Sequence, residues 1–259
     1  MKSRRQAFTL IELLVVIAII GVLAALLLPT LSSAKISAQK IGCMNKLRQW
    51  GIALTMYYPE HNDDIPRESA QASGSALDFW AQVKDPANAD VWYNALPPVI
   101  NQRPASDYFN NTAAFYDTEL LFHCPAARFL TVAGVNPLVD AVFSIAMNSK
   151  LISGSATTIQ VTTVKRPSET VFFLENRLAG DPMVDPSQAT TDLGQPSSYA
   201  NRFAARHGGA GNLAFVDGHA QGYKGNQVVE TTKGNPNEGK AILPQSEIVW
   251  TTDPSVSPN

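Results

Sequence analysis

Cysteine is scarce in this sequence: Cys43 in IGCMN and Cys124 in FHCPA are the only two among 259 residues. Neither belongs to a CxxC pair, so a zinc knuckle and a dithiol redox motif are excluded by spacing. An excess of basic charge is also missing, since 20 Lys and Arg face 22 Asp and Glu for a net charge of −2. No basic face interleaved with aromatics stands out, and nucleic acid is not an expected partner. The usual catalytic patterns are absent as well: there is no G-x-S-x-G elbow, no P-loop, no G-x-G-x-x-G after a strand and no HExxH. The glycine-rich HGGAG has no nucleophile elbow to accompany it. No cofactor and no enzymatic activity are expected.

Charge is scarcest near the N-terminus. Leu10 to Leu28 is a run of 19 residues in which Glu12 is the only charged side chain. At about 1.5 Å of rise per residue, a helix of that length roughly matches the ~30 Å hydrocarbon core of a membrane. Lys2, Arg4 and Arg5 precede the run and favour a cytoplasmic start, although Lys35, Lys40, Lys46 and Arg48 follow it. A cleaved secretory signal, a buried core helix and a plain signal anchor all compete on hydropathy alone. The secretory reading suffers from an apolar part longer than the usual 7–15 residues. A buried carboxylate costs free energy, so Glu12 calls for a partner or a route to the surface.

The local order of residues separates these readings. A-FTLIELLVVIAII, after a short basic leader, resembles the N-terminus of type IV pilins and type II secretion pseudopilins. The resemblance implies that a prepilin peptidase cuts between Ala7 and Phe8 and methylates the new amine of Phe8. Glu12 then stands where the family keeps its glutamate, and Pro29 matches a common family proline. The sequence departs from the family at Ala7, where glycine is the strong preference; alanine is small enough to fit, and slower cleavage is the expected consequence. A new amine at Phe8, with a reference pKa near 8, is largely cationic at neutral pH one helical turn from Glu12. In a stack of subunits the resemblance pairs Glu12 with the Phe8 amine of an incoming neighbour, setting register more than adding stability. Gly21 and Ala25 form a small-xxx-small pair of the kind that lets membrane helices approach closely.

After Pro29, which is expected to kink or loosen the helix, the helix is read to resume, giving one helix of about 50 residues with a second, amphipathic half. Cys43, Leu47, Trp50, Leu54 and Tyr57, with Met44, Gly51 and Tyr58, make a broad apolar stripe at spacings of three and four. Lys40, Asn45, Lys46 and Gln49 form the polar face, and Pro59 ends the helix. The expected layout is a leader over 1–7, a transmembrane helix over 8–29, an amphipathic spine over 30–58, a head over 59–233 and an irregular tail over 234–259. The fold class is α+β: a long N-terminal helix packed on an antiparallel β-sheet head, pilin-like by resemblance.

Within the head, aromatic islands at FWAQV, VWYNALPPVI and YFNNTAAFYD read as short helices or turns pinning a long excursion to the core. VFSIAMN, SETVFFLEN, NLAFVDGHAQGY and ATTIQVTTVKRPSE read as strands. Asp217-Gly218 between two of them predicts a two-residue type I′ hairpin. In an oxidising compartment a Cys43–Cys124 bridge would close a loop of about 80 residues and stabilise by ~2–4 kcal/mol; two buried free thiols are the alternative. RHGGAGNLAFVDGHAQ is similar to the H-x9-DG C-terminal signature of a large pilin-like group, carried here by His207, Asp217 and Gly218. His207, Asp217 and His219 also make a legitimate ligand set for a transition metal. The favoured reading is turn stabilisation, with Asp217 bonding nearby amides and His207 bonding the turn from outside.

The expected protein is a structural subunit of a type IV pilus or type II secretion pseudopilus. It crosses the cytoplasmic membrane once, N-terminus inside and head outside. Its expected partners are the prepilin peptidase, other pilin or pseudopilin subunits and membrane lipid. The rival is a membrane-anchored extracytoplasmic protein that binds a ligand or metal and does not polymerise.

Overall fold

The computed structural model describes residues 10–71, 76–132, 134–152 and 159–259. It divides into two units, Met1–Ala38 and Gln39–Asn259. The first residues of helix α1, Leu10–Tyr57, lie in the first unit and its last turns in the second. In the first unit the apolar side chains from Leu10 to Leu31 are exposed, Leu10 by 77% and Leu28 by 66%. A helix apolar all round and open all round is long and apolar enough to cross a membrane. Pro29 lies inside α1, which runs past it. The expected loosening does not end the helix there. The hydroxyls of Thr30, Ser33 and Ser37 donate to the carbonyls of Leu27, Pro29 and Ser33, keeping their polarity on the helix itself.

In the second unit the expected stripe of α1 is buried: Cys43, Leu47, Trp50, Gly51, Ala53, Leu54 and Tyr57. Asn45 and Gln49 face outward as read. Lys46, assigned to the polar face, instead turns into the structure. Its ammonium donates to the carbonyls of Leu120 and His123, each at 2.9 Å, and to that of Thr118.

Five strands form the sheet of this unit: β3 (Ile145–Asn148), β4 (Val171–Glu175), β5 (Ser197–Ser198), β6 (Ala210–Phe215) and β7 (Ala220–Lys224), in the order β5-β3-β4-β6-β7. A separate pair joins β1 (Asp78–Phe79) to β2 (Asp140–Ala141). The sheet is mixed, because β5 runs parallel to β3 while the other pairings are antiparallel. Two-residue β5 has no alternating pattern that a sequence reading could find. Residues 159–166 do not form the strand expected to end before Pro167. Residues 156–158 lie outside the described residues, and Val161–Thr163 is a 3-10 turn in which the Thr163 hydroxyl bonds the Gln160 carbonyl at 2.7 Å. Such local side-chain bonding competes with a strand ladder.

The β6–β7 hairpin forms where expected, with a different turn. The Gly218 amide donates to the Phe215 carbonyl and the Phe215 amide to the His219 carbonyl. Gly218 has φ +91° but neither Val216 nor Asp217 has positive φ, the pattern of a three-residue loop with glycine in a bulge rather than a type I′ turn. The two successive positive φ values occur instead at Gly208 and Gly209, between His207 and Ala210, which exchange both backbone hydrogen bonds.

The islands of the excursion dock as read: Trp80, Trp92, Tyr93, Tyr108 and Phe115 are all buried. Trp92 meets Trp50 edge-on at 5.1 Å between ring centroids. The tail is irregular yet anchored, with Trp250 buried and the Val171 amide donating to the Val249 carbonyl.

Glycine is required at Gly51, where a Cβ would fall 2.3 Å from the Gly218 carbonyl oxygen. Alanine is the better helix former by ~1 kcal/mol, but here the clash wins. Gly51→Ala should destabilise the detergent-solubilised chain by about 1–3 kcal/mol, read as a lower urea midpoint; unchanged or higher stability would show that the helix and hairpin separate freely.

Candidate functional site

Two regions carry chemistry, one in each unit. In the first, Ala7 and Phe8 lie outside the described residues. Glu12 sits in the first turn of α1, where the partial positive charge of a helix N-terminus favours a carboxylate. Gly21 has no atom within 4 Å of where a Cβ would stand, so the Gly21 and Ala25 face is open in the single chain.

The second region is a buried group of four side chains in the head. Cys43 comes from α1, Cys124 from the end of the FHCP turn, Glu175 from the last position of β4, and His207 from the turn before β6. One donor atom from each lies within 4.8 Å of the others. The His207 Nε2 is 3.3 Å from the Cys124 sulfur and 3.1 Å from Glu175 Oε2. The thiols expected to bridge are therefore neighbours, held here as free cysteines.

The surroundings position each member. The Cys124 amide donates to the Ser144 hydroxyl at 2.7 Å, fixing the turn that presents the sulfur. The Asn212 side-chain amide donates to Glu175 Oε1 and, at 3.2 Å, to the Lys40 carbonyl, linking β6 to both β4 and α1. Arg206 is sealed beside the group. It donates to the Asp181 carboxylate and the Asn176 carbonyl, each at 2.6 Å.

Electrostatics separates the two thiols. Burial pushes the Cys43 thiol well up, and its hydrogen bond to Cys124 and the nearby Glu175 add to the rise. Burial would push Cys124 up too, but the hydrogen bonds to it from Cys43 and His207, with the charge of Arg206, outweigh burial and bring it down. Burial opposes a charged His207, yet contact with Cys124 and Glu175 raises it above its ordinary value. These shifts favour negative charge on Cys124 and positive charge on His207, and favour the proton staying on Cys43.

This placement corrects the reading of the histidine signature. His207 bonds Cys124 rather than the hairpin turn, and it does not join Asp217 and His219. β6 lies between those positions, and six residues of strand span roughly 20 Å. Asp217 does stabilise its turn: its Oδ1 accepts from the His219 amide at 3.1 Å and meets His219 Nδ1 at 2.6 Å. His219 in turn stacks on Phe215 with centroids 4.3 Å apart. Glu175 was missed. Its one signal is a carboxylate ending the otherwise apolar run VFFLE, in a strand buried at every position.

A long apolar N-terminal helix followed by an α+β head is a pilin-like architecture. Residues 2–28 match the family model of the prokaryotic N-terminal methylation motif. That motif is consistent with a type IV pilin- or pseudopilin-like protein, a class that is structural, and with an N-terminal segment anchored in a membrane. The H-x9-DG residues lie outside the match. No curated protein and no solved structure matches the chain.

Arg206 is the group on which the charge balance of the head turns. Arg206→Met would leave the Asp181 carboxylate buried without its ion-pair partner, and should cost about 3–5 kcal/mol, measured by urea unfolding of the full chain. A loss below about 1 kcal/mol would mean that water reaches Asp181.

Proposed function

We propose that this chain is a filament subunit: cleaved by a prepilin peptidase between Ala7 and Phe8, methylated on the Phe8 amine, and assembled into a type IV pilus or type II secretion pseudopilus. The methylation motif at residues 2–28, heading a helix whose first turns are apolar and open on every side, carries this reading. Before assembly those side chains sit in lipid, with the N-terminus on the cytoplasmic side and the head outside. In the filament they pack against the same segment of other subunits, and the open Gly21 and Ala25 face lets helices approach closely.

Cleavage places a cation four residues before Glu12. An incoming subunit that pairs its Phe8 amine with Glu12 of a neighbour is held to one axial offset. In a low-dielectric bundle such a pair specifies register more than it stabilises. The work is mechanical assembly, and no step of it asks the chain for catalysis.

Mass spectrometry of the mature protein tests the processing. The expected chain begins at N-methylated Phe8, and Ala7→Gly should speed its appearance; an intact leader on the functional protein would sink the reading and favour a non-polymerising anchored protein. For assembly, Glu12→Val should reduce incorporation into filaments at least tenfold, an offset of about 1.4 kcal/mol, while membrane levels stay unchanged. Equal incorporation would remove Glu12 from the mechanism.

A further inference from the structure

The buried group in the head has the donors and dimensions of a metal centre. We propose that Cys43, Cys124, Glu175 and His207 bind a tetrahedral divalent ion, zinc in the first place, as a closed structural site. This inference stands independently of filament assembly.

Size supports it first. Zinc bonds of ~2.3 Å to sulfur and ~2.0–2.1 Å to nitrogen and oxygen give tetrahedral edges of about 3.3–3.8 Å. The His207 Nε2 lies 3.3 Å from the Cys124 sulfur and 3.1 Å from Glu175 Oε2, and all four donor atoms fall within 4.8 Å of one another. Closing the longer edges by up to about 1.0–1.5 Å, shared between two side chains, brings them around one ion.

An unmet acceptor points the same way. Glu175 is fully buried, and its Oε2 accepts no hydrogen bond among the described residues, although His207 Nε2 is at ion-pair distance. The two atoms approach without the alignment of a hydrogen bond, as two ligands of one centre do. The other oxygen, Oε1, is held by Asn212, an outer contact of the kind that orients a ligating carboxylate.

Donor chemistry selects the ion. Calcium and magnesium need six or more oxygen ligands, and this group offers a single carboxylate. Two thiolates with an imidazole suit zinc, and a carboxylate is an accepted fourth ligand. Binding requires both sulfurs as thiolates and His207 as a neutral imidazole, so zinc releases protons as it enters. Two thiolates and a carboxylate around a divalent ion leave one negative charge, and the buried Arg206 stands beside it. The ligands come from α1, the excursion, β4 and the turn before β6, so one ion would clip together four segments distant in sequence.

The full chain, purified in detergent and refolded under reducing conditions with zinc, should retain about one zinc per chain after desalting, measured by plasma mass spectrometry. Cadmium in place of zinc should give a thiolate charge-transfer band in the ultraviolet. Cys124→Ser and Glu175→Gln should weaken zinc binding by more than about a hundredfold, beyond the ten- to hundredfold typical of outer-shell changes. His219→Ala should leave it unchanged. If the ligand variants fail to fold, the natural chain decides: its Tm should rise with added zinc and fall with a chelator. Folded, reduced protein that binds no zinc would overturn the proposal. So would a Cys43–Cys124 disulfide that persists under the same reducing conditions, or zinc binding that His219→Ala abolishes.

Discussion

The near-contact of Gly51 with Gly218 sets the distance between α1 and the hairpin, and much of the head depends on that distance. With two backbones touching, the helix lies closer to the sheet than any side chain at this point would allow. One position before Gly51, Trp50 then reaches across to donate its indole N–H to the Leu121 carbonyl at 3.0 Å. About two turns earlier on the same face, Cys43 brings its sulfur to Cys124, Glu175 and His207. A helix held further out would leave the indole short of its acceptor and the thiol short of its group.

Pattern and packing rules made part of this legible in the sequence. The apolar run, the buried stripe from Cys43 to Tyr57 and the β6–β7 hairpin follow from periodicity and turn chemistry, which are local. The details that went astray are those decided by distant partners. Lys46 reads as a solvated lysine until the Thr118–His123 segment folds against it. Asp217-Gly218 reads as a type I′ turn until the register of β6 and β7 requires a third loop residue, while the same backbone requirement is met at Gly208-Gly209.

The buried group shows the same limit more sharply. Cys43, Cys124 and His207 each stand out by residue type, but their convergence is a property of the assembled sheet and helix. A spacing of nine residues between His207 and Asp217 suggests two ends of one site. In the structure it is the length of a strand plus its turns, and β6 carries the two residues to opposite ends of the hairpin. His207 therefore serves the core, while Asp217 serves the loop.

The excursion between α1 and the sheet raises a different question: how more than seventy residues with almost no strand pairing stay in place. Short helical turns leave carbonyls without ladder partners, and buried carbonyls need donors. Side chains supply them here. The indole N–H groups of Trp80, Trp92 and Trp50 donate to the carbonyls of Pro137, Pro196 and Leu121, and the Lys46 ammonium gathers three more. Each aromatic anchor thus fills core volume with its ring and satisfies backbone with its nitrogen. The Pro137 carbonyl accepts in a segment where proline itself denies the chain a regular ladder, while the Pro196 carbonyl, beside β5, also accepts from the Met147 amide and so ties Trp92 to the sheet. Cys124 lies within the excursion just beyond the carbonyls that Lys46 binds, so the polar pinning of the backbone and the buried group meet at one turn.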